Sequence, residues 1–271
     1  MDKTKRKRRI SASWWGNGIT LLPFTLALSI FLWYVIVWIG DLKPFILPTP
    51  GLIMTRFIRT LQDGSLFRHF GITLSEVVSG LILGSVVATA TGYLLAKSPQ
   101  LERILSPYIV ASQSVPIVAI APLLIIWFGP GMLSKVLICA LIVFFPILIN
   151  TVVGVRAVPD DLYDLMRSLQ AGRWQIFYKL EVPSALPVLL GGLRIGATLA
   201  VIGAVVGEFV GSDRGLGFLI NVGRGQYDIA LVFVAVFSLV FMALVLYGLV
   251  VLFERRLLAW QQRPEEEKLH R

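Results

Sequence analysis

Apolar residues run along this chain in long blocks, and charged residues punctuate them. No Asp, Glu, Lys or Arg occurs in Ile10–Gly40, Val77–Ala96, Ile104–Ser134, Val136–Val155 or Ile229–Phe253. A sixth block, Val182–Gly207, is broken only by Arg194. A helix rising 1.5 Å per residue needs about 20 apolar residues to cross a hydrocarbon layer about 30 Å thick. Each block meets that length. Backbone in lipid must satisfy its own polar groups, as a helix or as a closed barrel. The blocks lack the two-residue alternation of barrel strands. The pattern predicts an all-α, polytopic membrane protein with six transmembrane helices, at about 19–40, 73–96, 107–128, 134–155, 184–210 and 229–253.

These spans make one domain over 19–258, between a basic tail at 1–18 and a charged tail at 259–271. The third span holds Pro107, Pro116 and Pro122 and closes at Gly129-Pro130-Gly131. One kinked helix from Pro107 to Phe128 is expected there, after an irregular approach. On the outer side, Pro48-Thr49-Pro50-Gly51 breaks the chain before an amphipathic helix near Leu52–Leu61, expected on the membrane interface. On the inner side, the loop 156–181 carries Leu162, Leu165, Met166 and Leu169 at i, i+3, i+4 and i+7, one apolar helical face. Asp160 or Asp161 is expected to cap that helix after Pro159. An apolar stripe between charged flanks implies a covering partner, with the lipid surface as the alternative.

Composition supports the bilayer as solvent. Of 271 residues, 56% are hydrophobic and 15% charged, and the mean hydropathy is +0.78. Too little polar surface remains for a soluble globule. The net charge of +9 does not point to nucleic acid, because Lys3, Lys5, Arg6, Lys7, Arg8 and Arg9 stand directly ahead of the first apolar block. That placement is an orientation signal. Lys97, Arg103, Arg156, Arg167, Arg173, Lys179 and the C-terminal basic residues share the N-terminal side and outnumber Lys43, Arg56, Arg59, Arg68, Lys135, Arg214 and Arg224 opposite. Both termini are therefore expected in the cytoplasm.

The chemistry is mostly negative. The lone Cys139 cannot form an intrachain disulfide and reads as a small buried apolar residue. No Gly-x-x-x-x-Gly-Lys-Ser/Thr loop is present to hold ATP phosphates. His69 and His270 are the only histidines, without metal-protease spacing. No catalytic constellation and no metal site is expected. Any energy source must lie on another chain.

The loop carries a resemblance. Asp161-Leu162-Tyr163-Asp164-Leu165-Met166-Arg167-Ser168-Leu169-Gln170-Ala171-Gly172, running on to Leu180-Glu181-Val182-Pro183, resembles the EAA loop of binding-protein-dependent ABC importer permeases. Asp164, Leu165 and Met166 fall on the Glu-Ala-Ala positions, and Leu180, Val182 and Pro183 on the closing Ile-x-Leu-Pro, without a gap. Leu165 and Met166 replace alanines. The glycine position holds Gln170, so either Gln170 or Gly172 takes the turn. Ser114-Val115-Pro116 to Trp127-Phe128-Gly129, then Phe145-Pro146 with Asn150-Thr151, look like the nitrate/sulfonate/taurine branch. Ile202–Gly211 with Gly215-Leu216-Gly217 looks closer to members that import pyrimidine vitamin precursors or riboflavin.

The resemblance implies a MetI-like, six-span subunit, dimerised around a central path in the bacterial inner membrane. ATP and Mg would sit on a separate ATPase; two ATPase copies would dock at the loop, and an extracytoplasmic solute-binding protein would deliver a small organic solute. The coupling residues would be Asp161, Leu162, Asp164, Leu165, Met166, Arg167, Leu169, Gln170, Ala171 and Gly172. Candidates for the path are Ser112, Gln113 and Ser114 before Pro116, where a kink frees carbonyls that need a lined cavity, together with Asn150, Gly203, Gly207 and Glu208. Gly196, Ala200, Gly203, Gly207 and Gly211 share one face of the fifth span, and close helix packing is the competing reading of that stripe. The competing function is a secondary transporter or channel, which calls for coupling charges or a filter at mid-depth.

Overall fold

The computed structural model describes residues 14–259, with side chains from Pro23 onward. Most of the two predicted tails lies outside the described residues. Eleven helices follow in chain order among the described residues: α1 (Trp14–Ile39), α2 (Pro50–Gln62), α3 (Ser65–Lys97), α4 (Pro99–Gln113), α5 (Ile117–Phe128), α6 (Met132–Arg156), α7 (Asp160–Ser168), α8 (Arg173–Ile176), α9 (Val182–Gly211), α10 (Leu216–Gly225) and α11 (Ile229–Leu257). A π-turn, Phe177–Glu181, joins α8 to α9 without a break. Among the described residues, the segments containing α3, α6, α9 and α11 are each long and apolar enough to cross a membrane. The pair α4–α5 meets the same test as one bent span.

Helix α6 is the axis of the bundle, with α3 and α9 as its main partners. Both partners present small residues to it. On α3, Gly80 meets Cys139, and a β-carbon added at Gly84 would lie 2.7 Å from the Ala140 carbonyl oxygen. On α9, a β-carbon at Gly203 would lie 2.8 Å from the Cys139 α-carbon, and Gly192, Gly196 and Gly207 abut Asn150, Ile147 and Lys135. Without side chains in the way the backbones approach closely, so dispersion and backbone contact hold the three helices in lipid. Cys139 is fully buried between them, the small apolar role its sequence context implies. Outward, Ile82, Val86, Ile126, Trp127, Leu244 and Phe253 are exposed, a surface suited to acyl chains.

The third span differs from the expected single kinked helix. α4 and α5 are separate helices inclined at 94°. Pro116 has no N–H to donate and disfavours helical backbone at Val115, so the helix stops at Gln113 and restarts at Ile117. The approach is not irregular either: α4 starts at Pro99, where the Ser98 hydroxyl accepts from the Leu101 N–H at 3.3 Å. Helix α2 starts as expected after the Pro-rich breaker, capped by Thr49. It is tied to α11 by Arg56 Nε donating to Asp228 Oδ2 at 2.8 Å. Arg194, the one charge within the Val182–Gly207 block, pairs with Glu254 of α11 at 3.0 Å.

Candidate functional site

The loop after α6 folds as a helical elbow. Helix α7 starts at Asp160 with Pro159 at its N-cap and no side-chain cap, so neither Asp160 nor Asp161 caps it as expected. Both acids stand in the first turn, where they complement the helix dipole. At the far end the Gln170 N–H donates to the Arg167 carbonyl at 2.9 Å and the Ala171 N–H to the Met166 carbonyl at 3.0 Å. This is a Schellman motif, and its left-handed residue is Gln170, with φ +54°. Gln170 therefore takes the turn, and Gly172, with φ −70°, does not. Gly172 instead opens α8, its N–H donating to Gln175 Oε1 at 2.9 Å.

Among the described residues, the apolar face of α7 has no covering partner. Leu165 is 55% and Leu169 69% exposed, and Leu162 is exposed beside them. Asp161, Asp164, Arg167, Gln170 and Gly172 are exposed as well, while Met166 and Ala171 are half-buried. Among the described residues, Asp164 pairs with Arg167 on its own helix, at 3.1 Å.

The opposite side of α7 is bonded to the bundle through residues that pattern reading passed over. The Tyr163 hydroxyl lies 3.2 Å from Glu181 Oε1, and Lys97 Nζ donates to the Tyr163 oxygen at 3.3 Å. Lys97 also forms an ion pair with Glu181. Glu181 is 3% exposed, and its Oε2 accepts from the Tyr93 hydroxyl at 2.8 Å. Partial burial, opposed by the Lys97 hydrogen bond, raises the Tyr163 phenol above its ordinary value, so it stays a donor at neutral pH. One buried carboxylate thus gathers the end of α3, the start of α7 and the start of α9. A lone acid between Leu180 and Val182, at the mouth of an apolar span, is the sequence signal that marks it.

Residues 66–259 match the model of the binding-protein-dependent transport system inner membrane component family. The chain belongs to this family. It is an ABC importer permease, and the secondary-transporter or channel reading is not favoured. The permease is 48% identical over 240 residues to the riboflavin transport system permease protein RibX of Chloroflexus aurantiacus, covering 89% of this chain and 90% of that one. It is 36% identical to the formylaminopyrimidine transport permease protein ThiX of Halalkalibacterium halodurans (86% and 94% covered). It is 30% identical to the taurine transport system permease protein TauC of Escherichia coli (96% and 97% covered). In fold it resembles a chain of the MetNI methionine ABC transporter in an inward facing conformation, with a TM-score of 0.62 and 20% identity over 72% of this chain and 97% of that one.

The candidate path residues of the permease fall into two groups. Ser112, Gln113, Ser114 and Pro116 form the exposed elbow between α4 and α5. Ser112 and Ser114 turn their hydroxyls back to the Ile109 and Val110 carbonyls, at 2.8 and 3.4 Å. Gly203 and Gly207 are buried against α6, and Glu208 is 1% exposed. Asn150 lies between, half-buried, its amide donating to the Pro146 carbonyl at 2.7 Å.

Glu208 belongs to a polar cluster at the end of the bundle away from the loop. Its Oε1 accepts from the Thr73 hydroxyl at 2.6 Å, and its Oε2 from the Gly217 N–H. Glu76 Oε1 lies 3.4 Å from Lys135 Nζ, which donates to Ser212 Oγ at 2.7 Å. Lys135, counted from the sequence among the basic residues on the side opposite the termini, is 4% exposed. Glu76, Lys135 and Glu208 stand on three different helices, and nothing in their spacing along the sequence shows that these helix ends converge.

Proposed function

We propose that this permease is one of two identical subunits that form the path of an importer for an aromatic, vitamin-type heterocycle. Six spans place both termini in the cytoplasm of the bacterial inner membrane. The domain runs over 19–258, with α7 and α8 in the inner loop. An extracytoplasmic binding protein supplies the solute. Two separate ATPase subunits hold ATP and Mg and dock on α7, so hydrolysis occurs on the partner.

The observation that carries this reading is the two-sided construction of α7. Leu162, Leu165 and Leu169 are bare on one side, while Tyr163 is bonded to Lys97 and Glu181 on the other. A helix fixed to two spans and open to a partner can pass rigid-body motion into the bundle. The substrate class rests on the 48% identity to the riboflavin permease, against 30% to the taurine permease. In the path, the α4–α5 elbow at Ser112, Gln113, Ser114 and Pro116 lines the solute route, with Asn150 deeper.

The test is assembly and ATP-driven uptake with the ATPase encoded beside this chain, comparing wild type with Asp164→Lys and Leu165→Glu. Loss of the complex, or of uptake with the fold intact, supports docking at α7. Unchanged uptake in both variants removes the proposed docking site. Competition of that uptake by riboflavin and by taurine decides the substrate class.

A further inference from the structure

The cluster around Glu76 and Glu208 has an imbalance that packing alone does not explain. Two carboxyl groups, each on a residue 1% exposed, share one buried cation, Lys135. The two carboxyls are within hydrogen-bonding reach of each other. If both were ionised, the site would hold a net negative charge in a medium that solvates it poorly, with like charges in contact. Glu208 has its donors, the Thr73 hydroxyl and the Gly217 N–H. Glu76 does not: its Oε2 is buried and has no hydrogen-bond partner among the described residues. A carboxylate oxygen can only accept, whereas a protonated one donates.

We propose that Glu76 and Glu208 hold a single proton between them, carried on Glu76 Oε2 and donated to the Glu208 carboxylate, and that this proton-binding site latches the N-terminus of α10 to α3 and α9. Protonation takes one proton from solvent and leaves Lys135 and one carboxylate, a neutral set. The latch is the row of backbone donors at the start of α10. The Gly215 N–H donates to His69 Nδ1 at 2.9 Å, the Leu216 N–H to Thr73 Oγ1 at 2.8 Å, and the Gly217 N–H to Glu208. All three acceptors belong to α3 or α9. A β-carbon at Gly215 or Gly217 would collide with the Glu208 side chain, and Gly215 has φ +105°, so the chain is shaped to the carboxylate. Loss of the proton puts two negative charges side by side beneath α10 and pushes Glu208 away from the donors.

The other charged or titratable groups around the pair are few. Lys135 and Cys139 face it from α6, His69 and Arg68 stand on α3, and Asp213 precedes α10. Asp213 is exposed and paired with Arg214 at 3.2 Å, and His69 is engaged by Gly215. The remaining helices around α10 bring Asp228, which is bonded to Arg56. None of these supplies a second buried cation.

The prediction is read on the intact permease in detergent or nanodisc, with no need for transport. Infrared spectroscopy of wild type at neutral pH should show a protonated-carboxyl C=O band that survives hydrogen–deuterium exchange with an isotope shift and disappears at alkaline pH. Thermal stability should fall as pH rises from the ordinary glutamate range into that alkaline range and level off once the band has gone, because over this interval the folded state holds a proton that the unfolded chain has lost. Glu76→Gln and Glu208→Gln each leave one acid with Lys135, so each should remove the band and flatten that alkaline loss. Absence of the band from wild type overturns the proposal even if neither variant folds. So does a band, or an unchanged alkaline loss of stability, in either variant that folds.

Discussion

The Tyr163 hydroxyl and Glu181 Oε1 lie 3.2 Å apart, so the first turn of the exposed loop helix is bonded to the residue at which the fifth apolar span begins. Lys97 closes the triangle from the end of α3. The link is short and polar, and it lies just inside the bundle. A force applied to α7 therefore reaches two spans through one carboxylate.

Glu181→Gln should weaken that link without touching the docking face. The variant keeps the shape but loses the ion pair with Lys97, which is partly exposed, at a cost of about 1–3 kcal/mol. ATP hydrolysis by the assembled complex should persist while uptake per ATP falls several-fold. Both are measurable in proteoliposomes; an unchanged ratio would show that the carboxylate carries no motion.

Gln170→Gly should stabilise the loop. Gln170 adopts φ +54°, where a β-carbon costs about 1 kcal/mol and glycine none. A melting curve should move upward for Gln170→Gly and downward for Gln170→Val, with docking to the ATPase retained in the glycine variant.

The glycines separate by position. Gly84→Val places a branched side chain against the Ala140 backbone and should cost at least about 1–3 kcal/mol through overpacking. Gly191→Ala has nothing within 4 Å of the new carbon and should be neutral or gain up to about 1 kcal/mol in helix propensity. Thermal melting of the purified variants in detergent checks both.

Arg194→Met should destabilise by about 1–3 kcal/mol, because it leaves the half-buried Glu254 without its partner. Arg194→Met combined with Glu254→Leu should recover most of that loss. A double-mutant cycle on melting free energies reads the coupling; additivity of the two changes would mean that the pair does not interact.

What the sequence shows clearly is whatever repeats along one helix. Block lengths predict the apolar spans, and the period of Leu162, Leu165 and Leu169 locates α7. Pro116 marks the break in the third span, although its size, 94°, follows from packing that no single residue encodes. Gly203 and Gly207 can be seen as a stripe, yet only the neighbouring Cys139 and Lys135 show which side is covered. The polar contacts are least legible. Glu181 meets a lysine 84 residues away and Glu208 a threonine 135 residues away. Such pairs depend on how three helices are laid against one another, and α10, short and rich in glycine, has no pattern to announce it.

The π-turn at Phe177–Glu181 sets the azimuth of the whole elbow. A π-turn is an α-helix with one residue too many, and each residue of an α-helix advances the chain by about 100° around its axis. The direction in which α8 and α7 leave the span is therefore a matter of phase, counted in whole residues from α9. Removing one residue from the turn would let it close as ordinary α-helix. Every contact within α7 would survive, but its leucines would point to a different quarter of the compass, and Tyr163 would no longer meet Glu181.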